Sequence, residues 1–390
     1  MTAAVLPTKV VGTVKSIASL AGLLVFVACS QPGDDAAEGT EGPTTGGATG
    51  DPMTTSSGQP MTASSTAAES TGASGSSDSS SASTAQTASS EASSDSGTTT
   101  EGDPPKGECG TANLVGCYRG MYLSLWSDNA GQIDFGGDTE QHRFILGDAA
   151  KEQLVLDFIG THRIESLALY NMGSILGDED LELALESFMG RAREAGVLRI
   201  DAISATSTST WDNIADFHES HAPFDGFVTE IEFWNDGATF DEFMATLEYI
   251  RAFGLVGPGG GPTTLSVYVG WIDQGQVDAM LGLIDRAWVH VYVDAAPTAF
   301  GYGEERIEMF ANANEAQNRE VEIWPIFSAE DNQWSAGSET FMGEWLTENG
   351  LDAAELAVLA DYEAAPVYER IEVSGHQYFS YFFLERYLAR

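Results

Sequence analysis

The chain has 390 residues, of which 59 are acidic and 17 basic, so its formal net charge is −42 at neutral pH. A chain this poor in cations excludes nucleic acid and anionic membrane surfaces as electrostatic partners. No set of cysteines and histidines has the spacing of a metal site, so we expect neither a metal nor another cofactor.

Residues 1–28 have the features of an export signal. Two lysines precede an apolar run, Ile17 to Ala28, which is too short for a comfortable membrane span. The run ends in Phe26-Val27-Ala28-Cys29, which resembles the lipobox of bacterial lipoproteins. That resemblance implies cleavage before Cys29, a lipid on this cysteine, and an exported protein anchored to a bacterial membrane. Ordinary signal cleavage beside an incidental cysteine is the alternative.

Residues 29–107 have the composition of a tether. Between positions 54 and 100 there is no aromatic residue and no Leu, Ile or Val. Such a segment cannot bury enough apolar surface to offset its ordering entropy, so we expect it to be disordered. With about 75 residues its typical span is about 45–50 Å, enough to hold a domain clear of a membrane.

The folded domain is predicted at residues 108–390. Cys109 and Cys117 lie near its start, and in an exported protein a disulfide between them is the default interpretation, with two free thiols as the alternative.

Strands and helices alternate through this domain. The predicted strands are Gly120–Trp126, Ser166–Tyr170, Leu198–Ser204, one within Phe224–Asn235, Leu265–Trp271, Trp288–Asp294, Val321–Phe327 and Glu369–Val373. The predicted helices are Ala149–Ile159, Asp180–Glu194, Thr210–His218, Phe240–Phe253, Val277–Asp285, Glu304–Glu315, helical material across Glu339–Asp361, and Tyr378–Leu388. Eight such units predict a (β/α)₈ barrel, with a doubly wound open sheet as the alternative.

The fourth strand carries two acids on one face. Period-two geometry places Val228, Glu230, Glu232 and Trp234 together. Both faces of a central strand are covered in this fold, and acids in such an interior are costly unless they serve a site. We therefore predict catalytic roles for Glu230 and Glu232. A solvent-facing strand edge and structural ion pairs with arginines are the alternatives.

Further candidates lie where the strands end, because function in such barrels is found at the C-terminal ends of the strands. This rule selects Trp126, Asp128, Asn171, Trp234, Asn235, Trp271, Tyr292, Asp294 and His376 as substrate-binding residues. Aromatic rings stack on sugar rings, carboxylates and amides hold hydroxyl groups, and paired carboxylates can cleave glycosidic bonds. The set therefore favours a glycan as partner.

The segment Phe224–Glu232 resembles the fourth-strand motif of the family-eighteen, chitinase-like glycoside hydrolases, in which Asp-Gly opens a strand of spaced aspartates that ends in a catalytic glutamate. By this resemblance Asp225 and Gly226 match the opening. Glu230 then stands for the aspartate that orients the acetamido group, and Glu232 for the proton donor.

Three further positions bear on this resemblance. Val228 stands where another aspartate is expected. Tyr292 and Asp294 resemble the Tyr-Asp pair of that family, with one residue between them.

A second catalytic scheme is open. Glu232 as acid/base and Glu330 as nucleophile would be similar to barrel glycosidases with glutamates on strands four and seven. The predicted protein is thus a monomeric, surface-tethered lipoprotein with glycoside hydrolase-like chemistry. The alternatives are a barrel that binds glycan or a protein partner without chemistry, which Val228 favours, and a purely structural surface protein.

Overall fold

The computed structural model describes residues 109–127, 140–235, 237–292, 296–329 and 342–389. The predicted export signal, the lipidation candidate Cys29 and the tether lie outside the described residues, as do Asp128, Asp294 and Glu330. In the part of the chain that is described, no helix combines the length and apolar character needed to cross a membrane.

Parallel strands close into a single barrel in chain order. The strands are β1 (Tyr118–Ser124), β2 (Ser166–Tyr170), β3 (Arg199–Ser204), β4 (Gly226–Thr229), β5 (Thr264–Val269), β6 (Arg286–His290), β7 (Glu322–Ser328) and β8 (Gly375–Phe379). The helices are α1 (Ala149–His162), α2 (Glu179–Glu194), α3 (Thr208–Ser220), α4 (Phe240–Ala252), α5 (Gln274–Met280), α6 (Ala296–Gln317), α7 (Gly343–Asn349), α8 (Leu351–Ala364) and α9 (Tyr381–Leu388). The predicted (β/α)₈ barrel is confirmed, because β8 pairs with β1 and leaves no open sheet edge.

Polar side chains fix where many helices begin, since a side-chain oxygen at the N-cap accepts from otherwise unpaired amides of the first turn. Asp148 accepts from the amides of Ala150 and Lys151 ahead of α1. Thr239 and Glu242 form a reciprocal capping box at the start of α4. These caps end the loops that follow the strands and so shape the C-terminal side of the barrel, referred to below as the mouth.

Two hydrophobic clusters fill the fold, one between strands and helices and one inside the barrel. The inner cluster consists of Tyr122, Ala168, Tyr170, Ile203, Val228, Tyr268, Trp288, Trp324, Ile326 and Phe379. Strands of such barrels are staggered by about one residue per strand, so interior side chains from alternate strands form layers. The observed register places Tyr122, Ile203, Tyr268 and Ile326 in one layer, and Tyr170, Glu230, His290 and Phe379 in the next layer towards the mouth.

The opposite, N-terminal end of the barrel, referred to below as the base, holds buried ion pairs. Arg199 Nε donates to Asp201 Oδ2 at 3.0 Å, and Arg286 lies 2.7 Å from Glu322. Burial alone would raise the pKa of Glu322, but the Arg286 guanidinium outweighs it and lowers that pKa. A Cβ at Gly226 would lie 2.7 Å from Asp201 Oδ1, which explains why β4 opens with glycine.

Asp225, just before β4, also belongs to the base. Its Oδ2 accepts from the Ile200 amide at 2.7 Å and from Arg193 Nη2 at 2.7 Å. Burial raises the pKa of Asp225, and Arg193 opposes that shift. Asp225, the first acid of the resembled motif, therefore connects β3, β4 and α2. It lies at the N-terminal end of β4, whereas the two glutamates follow the C-terminal end.

The prediction of the eighth strand was wrong. β8 is Gly375–Phe379. Residues Pro366–Arg370 instead form a 3₁₀-helix, which begins at Pro366 because the proline ring fixes φ near its helical value. The first two interior positions of β8 are Gly375 and Gln377, residue types that do not signal a strand in sequence, and only the third, Phe379, is apolar. A Cβ at Gly375 would lie 2.8 Å from the Tyr118 carbonyl oxygen, so close pairing with β1 requires glycine there.

A disulfide joins Cys109 to Cys117, with an S–S distance of 2.05 Å. The His376 ring lies beside it, with a nitrogen and both sulfurs within 4.8 Å of one another. Because both sulfurs are in the disulfide, they are not the thiolates that a metal ion would need.

Candidate active site

The floor of the mouth is the layer formed by Tyr170, Glu230, His290 and Phe379. Beneath it, the Tyr122 ring lies 5.2 Å from the Phe379 ring. Burial raises the pKa of Tyr122, and the charges of Glu230 and Glu232 raise it further. Both glutamates therefore lie within electrostatic range of a phenol inside the barrel, as expected if they face the barrel axis. Each is half-buried.

Glu232 is held by a short local structure. β4 ends at Thr229, and a 3₁₀-helix, Phe233–Asn235, turns the chain just after Glu232. Asn235 Nδ2 donates to Glu232 Oε2 at 2.9 Å. Asn235, predicted to bind substrate, is thus a direct partner of the proposed proton donor.

Trp234 forms one wall of the mouth. Its ring lies 6.0 Å from Tyr268, and a Cβ at Gly270 would approach the indole to 2.7 Å. Phe233 points the other way and packs on Phe243, with ring centroids 4.8 Å apart. The alternation that the sequence predicts along β4 therefore continues past the strand.

Tyr292 stands beside the floor. Its hydroxyl oxygen accepts a hydrogen bond from the Tyr268 hydroxyl at 3.1 Å. Its ring centroid is 3.4 Å from that of His290 and 5.9 Å from that of Phe379. The structure thus brings Glu230, Tyr292 and Phe379 to one place.

Trp126 and Asn171 lie together after β1 and β2. Asn171 is in the left-handed region, at φ 64°, and its Nδ2 donates to the Trp126 carbonyl oxygen at 2.6 Å. Its Oδ1 accepts from the Ser174 hydroxyl at 3.2 Å. The Asn171 amide is therefore used to join two strand ends. The Trp126 ring is half-buried and packs edge-on against Phe144 at 4.8 Å.

Trp271 lies on the rim, beyond the end of β5. Its side chain is 49% exposed, which is unusual for so large an apolar group. The Arg306 guanidinium lies 5.3 Å from its ring centroid and 4.8 Å from that of Tyr302. Trp271 is thus supported from one side by a cation–π contact and open to solvent.

His376 is not at the rim, where the misplaced eighth strand had put it. It is the second residue of β8, fully buried, and its ring stacks on Phe327 at 5.9 Å on the helix-facing side. Burial lowers the pKa of His376 to about 4. The predicted position of His376 among the substrate-binding residues is corrected for this physical reason. Asp128, Asp294 and Glu330 lie outside the described residues.

The sequence analysis missed several residues of the mouth. Tyr122, Tyr170, Tyr268, His290 and Phe379 all project inward there. The period-two pattern of the sequence could have identified them, because each lies an even number of residues from another inward-facing residue on its strand. The sequence analysis considered only residues that follow the strands, so it left out the last inward-facing residues within the strands.

One open groove lies elsewhere. It has a volume of about 700 Å³ and is lined by Asp285, Asn314, Arg319 and Arg370, among others, next to the segments that lead into β6, β7 and β8. That is the base of the barrel, where (β/α)₈ proteins carry stability and not chemistry.

The chemistry of the mouth is that of carboxylates framed by aromatic rings and phenol hydroxyls. Among the described residues its side chains include Tyr122, Tyr170, Glu230, Glu232, Trp234, Tyr268, His290, Tyr292 and Phe379, and none of these is a lysine or arginine. Rings offer faces for an apolar C–H surface, while carboxylates and phenols bind hydroxyl groups. This is a (β/α)₈ barrel with an acidic, aromatic site.

Neither a family model nor a curated protein matches the chain. Similar solved structures include the xylanase and α-amylase inhibitor XAIP-II from Scadoxus multiflorus, at 11% identity and a TM-score of 0.39, covering 70% of this chain and 96% of that one. A chitinase from Bacteroides thetaiotaomicron has 12% identity and a TM-score of 0.39, covering 68% and 90%. A family-eighteen N-acetylglucosaminidase from Paenibacillus barengoltzii has 11% identity and a TM-score of 0.40, covering 70% and 98%.

Chitinase-like proteins are thus among the structures that the chain weakly resembles. Similarity at this level identifies neither a substrate nor a catalytic residue. The barrel assignment rests on the strand pairing of the chain itself.

Proposed function

We propose that the barrel mouth binds a glycan and hydrolyses a glycosidic bond, with Glu232 as the proton donor. One observation carries this proposal. Glu230 and Glu232 follow the inward-facing Val228 at two-residue spacing, both are half-buried, and aromatic side chains line the same end of the barrel. Two half-buried carboxylates are costly in such surroundings unless they serve chemistry or binding.

The two carboxylates have different roles in this mechanism. Glu232 donates a proton to the oxygen of the leaving sugar, in the orientation that the hydrogen bond from Asn235 gives it. Glu230 lies two residues earlier, so in an extended segment the two backbones are about 6.5 Å apart. Such a pair can flank one glycosidic bond: a water molecule that gives its proton to Glu230 attacks the anomeric carbon while the bond to the leaving oxygen, protonated by Glu232, breaks.

The substrate class follows from the same side chains. Trp234 and Phe379 supply ring faces, and Tyr268 and Tyr292 supply hydroxyl groups. A phosphorylated sugar would require cations, and none of the described side chains named above for the mouth is a lysine or arginine. An uncharged glycan fits best.

A second candidate is binding without hydrolysis, and Val228 favours it. Val228 is fully buried in the inner cluster, at the position where the resembled motif has an aspartate. No carboxylate therefore lies directly below Glu230 on β4 to relay charge.

The test is hydrolysis and binding of fully N-acetylated chitotetraose, cellotetraose, xylotetraose and maltotetraose by the full chain. We expect cleavage of at least one tetrasaccharide. We expect Glu232→Gln to slow that cleavage at least a hundredfold with little change in affinity, because a general acid contributes about 10²–10⁴ in rate. Glu219→Gln makes the same chemical change at an exposed position of α3 and is the control.

The outcomes separate the candidates. Binding without cleavage would support the second one. Neither binding nor cleavage of any glycan would contradict both. Full activity of Glu232→Gln would remove Glu232 from the mechanism even if cleavage is found.

We also propose that the chain is exported and lipid-anchored through Cys29, with the segment up to residue 107 as a tether. The lipobox-like sequence Phe26–Cys29 supports this. Metabolic labelling with a radioactive fatty acid and partition into detergent test it. Unlabelled protein in the aqueous phase would contradict it.

A further inference from the structure

His290 is a buried side chain whose hydrogen bonding is incomplete. It is 6% exposed, and its Nε2 has no hydrogen-bond partner among the residues that the structure describes. Buried polar atoms in native proteins normally have a partner, so an orphaned nitrogen needs an explanation. A ligand group is one explanation, provided that the nitrogen belongs to a site.

The position of His290 places it in such a site. It is the last residue of β6, on the inward face, and shares the floor of the mouth with Glu230, Tyr170 and Phe379. Its ring contacts Tyr268, at 5.3 Å between centroids, and Tyr292 at 3.4 Å. These are the two phenols already assigned to the mouth.

Small residues occupy the layer directly above the floor. The next inward positions on β1, β5 and β7 are Ser124, Gly270 and Ser328. The Trp234 indole lies against Gly270, where a Cβ would approach it to 2.7 Å. The Ser124 hydroxyl likewise has no hydrogen-bond partner in the described ranges. Two orphaned polar groups thus lie in adjacent layers of the mouth, His290 in the floor and Ser124 above it.

The charge state of His290 limits which ligand suits it. Burial lowers its pKa well below the ordinary value, and the nearby Arg306 lowers it further. A neutral imidazole has one N–H group and one lone pair, which match the donor and acceptor of a hydroxyl group. A ligand carboxylate at His290 would lie beside Glu230, which shares the floor, and be repelled.

We propose that His290 is a substrate-binding residue, whose imidazole hydrogen-bonds a hydroxyl group of an uncharged sugar bound at the floor of the mouth. This rests on the proposed function of the mouth and assigns part of its specificity. A neutral, polyhydroxylated sugar unit is selected over an acidic one.

The experiment measures binding by calorimetry in the Glu232→Gln background, so that the sugar stays intact. The probe is whichever of the four neutral tetrasaccharides the protein binds best, with tetragalacturonic acid as the acidic comparison. We expect His290→Leu to weaken binding of the neutral probe about tenfold or more. Its thermal midpoint should stay the same or rise, because the variant removes a buried nitrogen that has no partner. We expect no binding of the acidic probe.

His376→Leu is the matched control. His376 is the other histidine with partnerless buried nitrogens in the described chain, but it faces the helices and not the mouth. The same substitution there should leave the affinity unchanged. His290→Gln, which restores an amide near the lost nitrogen, should recover part of the affinity, and it carries the test if His290→Leu does not fold.

Each result decides between alternatives. Equal affinity of His290→Leu and its parent overturns the assignment while the proposed function stands. An equal loss in His376→Leu overturns it too, because the effect is then general to the core. Preference for tetragalacturonic acid contradicts the uncharged sugar. Wild-type protein that binds no tetrasaccharide overturns the proposed function and this assignment together.

Discussion

The absence of a side chain at Gly270 allows the Trp234 ring to pack against β5 at the mouth. A Cβ there would come within 2.7 Å of the Trp234 indole nitrogen, a distance that a rigid ring can relieve only by moving. We therefore expect Gly270→Ala to displace Trp234 from β5 and to weaken glycan binding about tenfold. Tryptophan fluorescence and calorimetry with a bound tetrasaccharide measure the two effects.

Gly282→Ala is the control for this residue. It is the same substitution near the end of α5, where an added Cβ meets no atom within 4 Å. Fluorescence and affinity should match those of the wild type. If Gly270→Ala binds as tightly as Gly282→Ala, Trp234 is not part of the binding surface.

At the scale of elements, β4 serves the two ends of the barrel differently. Asp225 and Gly226 pack among the buried ion pairs of the base, while Glu230 and Glu232 face the mouth. Asp225→Ala should lower the free energy of unfolding by about 2 kcal/mol, because it leaves the Ile200 amide and Arg193 without their acceptor. Urea unfolding measures this.

The matching functional measurement is the rate of cleavage per folded molecule, which Asp225→Ala should leave unchanged. Asp216→Ala, at an exposed position of α3, should change neither quantity. A drop in rate without a loss of stability would instead place Asp225 in the chemistry, against its position at the base.

The alternation of strands and helices was enough to predict the barrel, because hydrophobic period and turn residues report burial directly. It also predicted the inward face of β4, since Val228 lies in the inner cluster and Ile231 in the outer one. It missed β8, where glycine and glutamine occupy the first two interior positions and only Phe379 is an apolar interior residue. The hydrophobic period shows which face of a strand a residue occupies, but it shows neither the layer of the barrel in which the residue lies nor its hydrogen-bond partners. The sequence therefore could not distinguish His290 from a core histidine whose nitrogens are both hydrogen-bonded.

For the molecule as a whole, buried histidines link folding to pH. Burial lowers the pKa of His142 and of His376 to about 4 in the folded state, against an ordinary value of 6.5. Between pH 4 and 6.5 the unfolded chain binds protons at these histidines that the folded chain does not. These histidines therefore do not reduce the free energy of unfolding above pH 6.5, and they reduce it progressively as the pH falls from 6.5 towards 4. Neutralisation of carboxylates acts against this trend, since it relieves the repulsion of a chain with net charge −42.

Comparison with His376→Leu isolates one histidine from these opposing effects. His376 lies near Arg119 and Glu355, and burial is the main cause of its lowered pKa. pH 5 lies about 1.5 units below the ordinary pKa of histidine, so this residue is mostly protonated in the unfolded chain and mostly neutral in the folded one. The free energy of unfolding of the wild type should therefore fall by about 2 kcal/mol more than that of His376→Leu between pH 7.5 and 5. Urea unfolding at a series of pH values measures the two slopes. The difference should persist at high salt, which screens surface charges but not a buried ring. Parallel curves would mean that His376 takes up its proton equally in both states, which its complete burial beside the disulfide argues against.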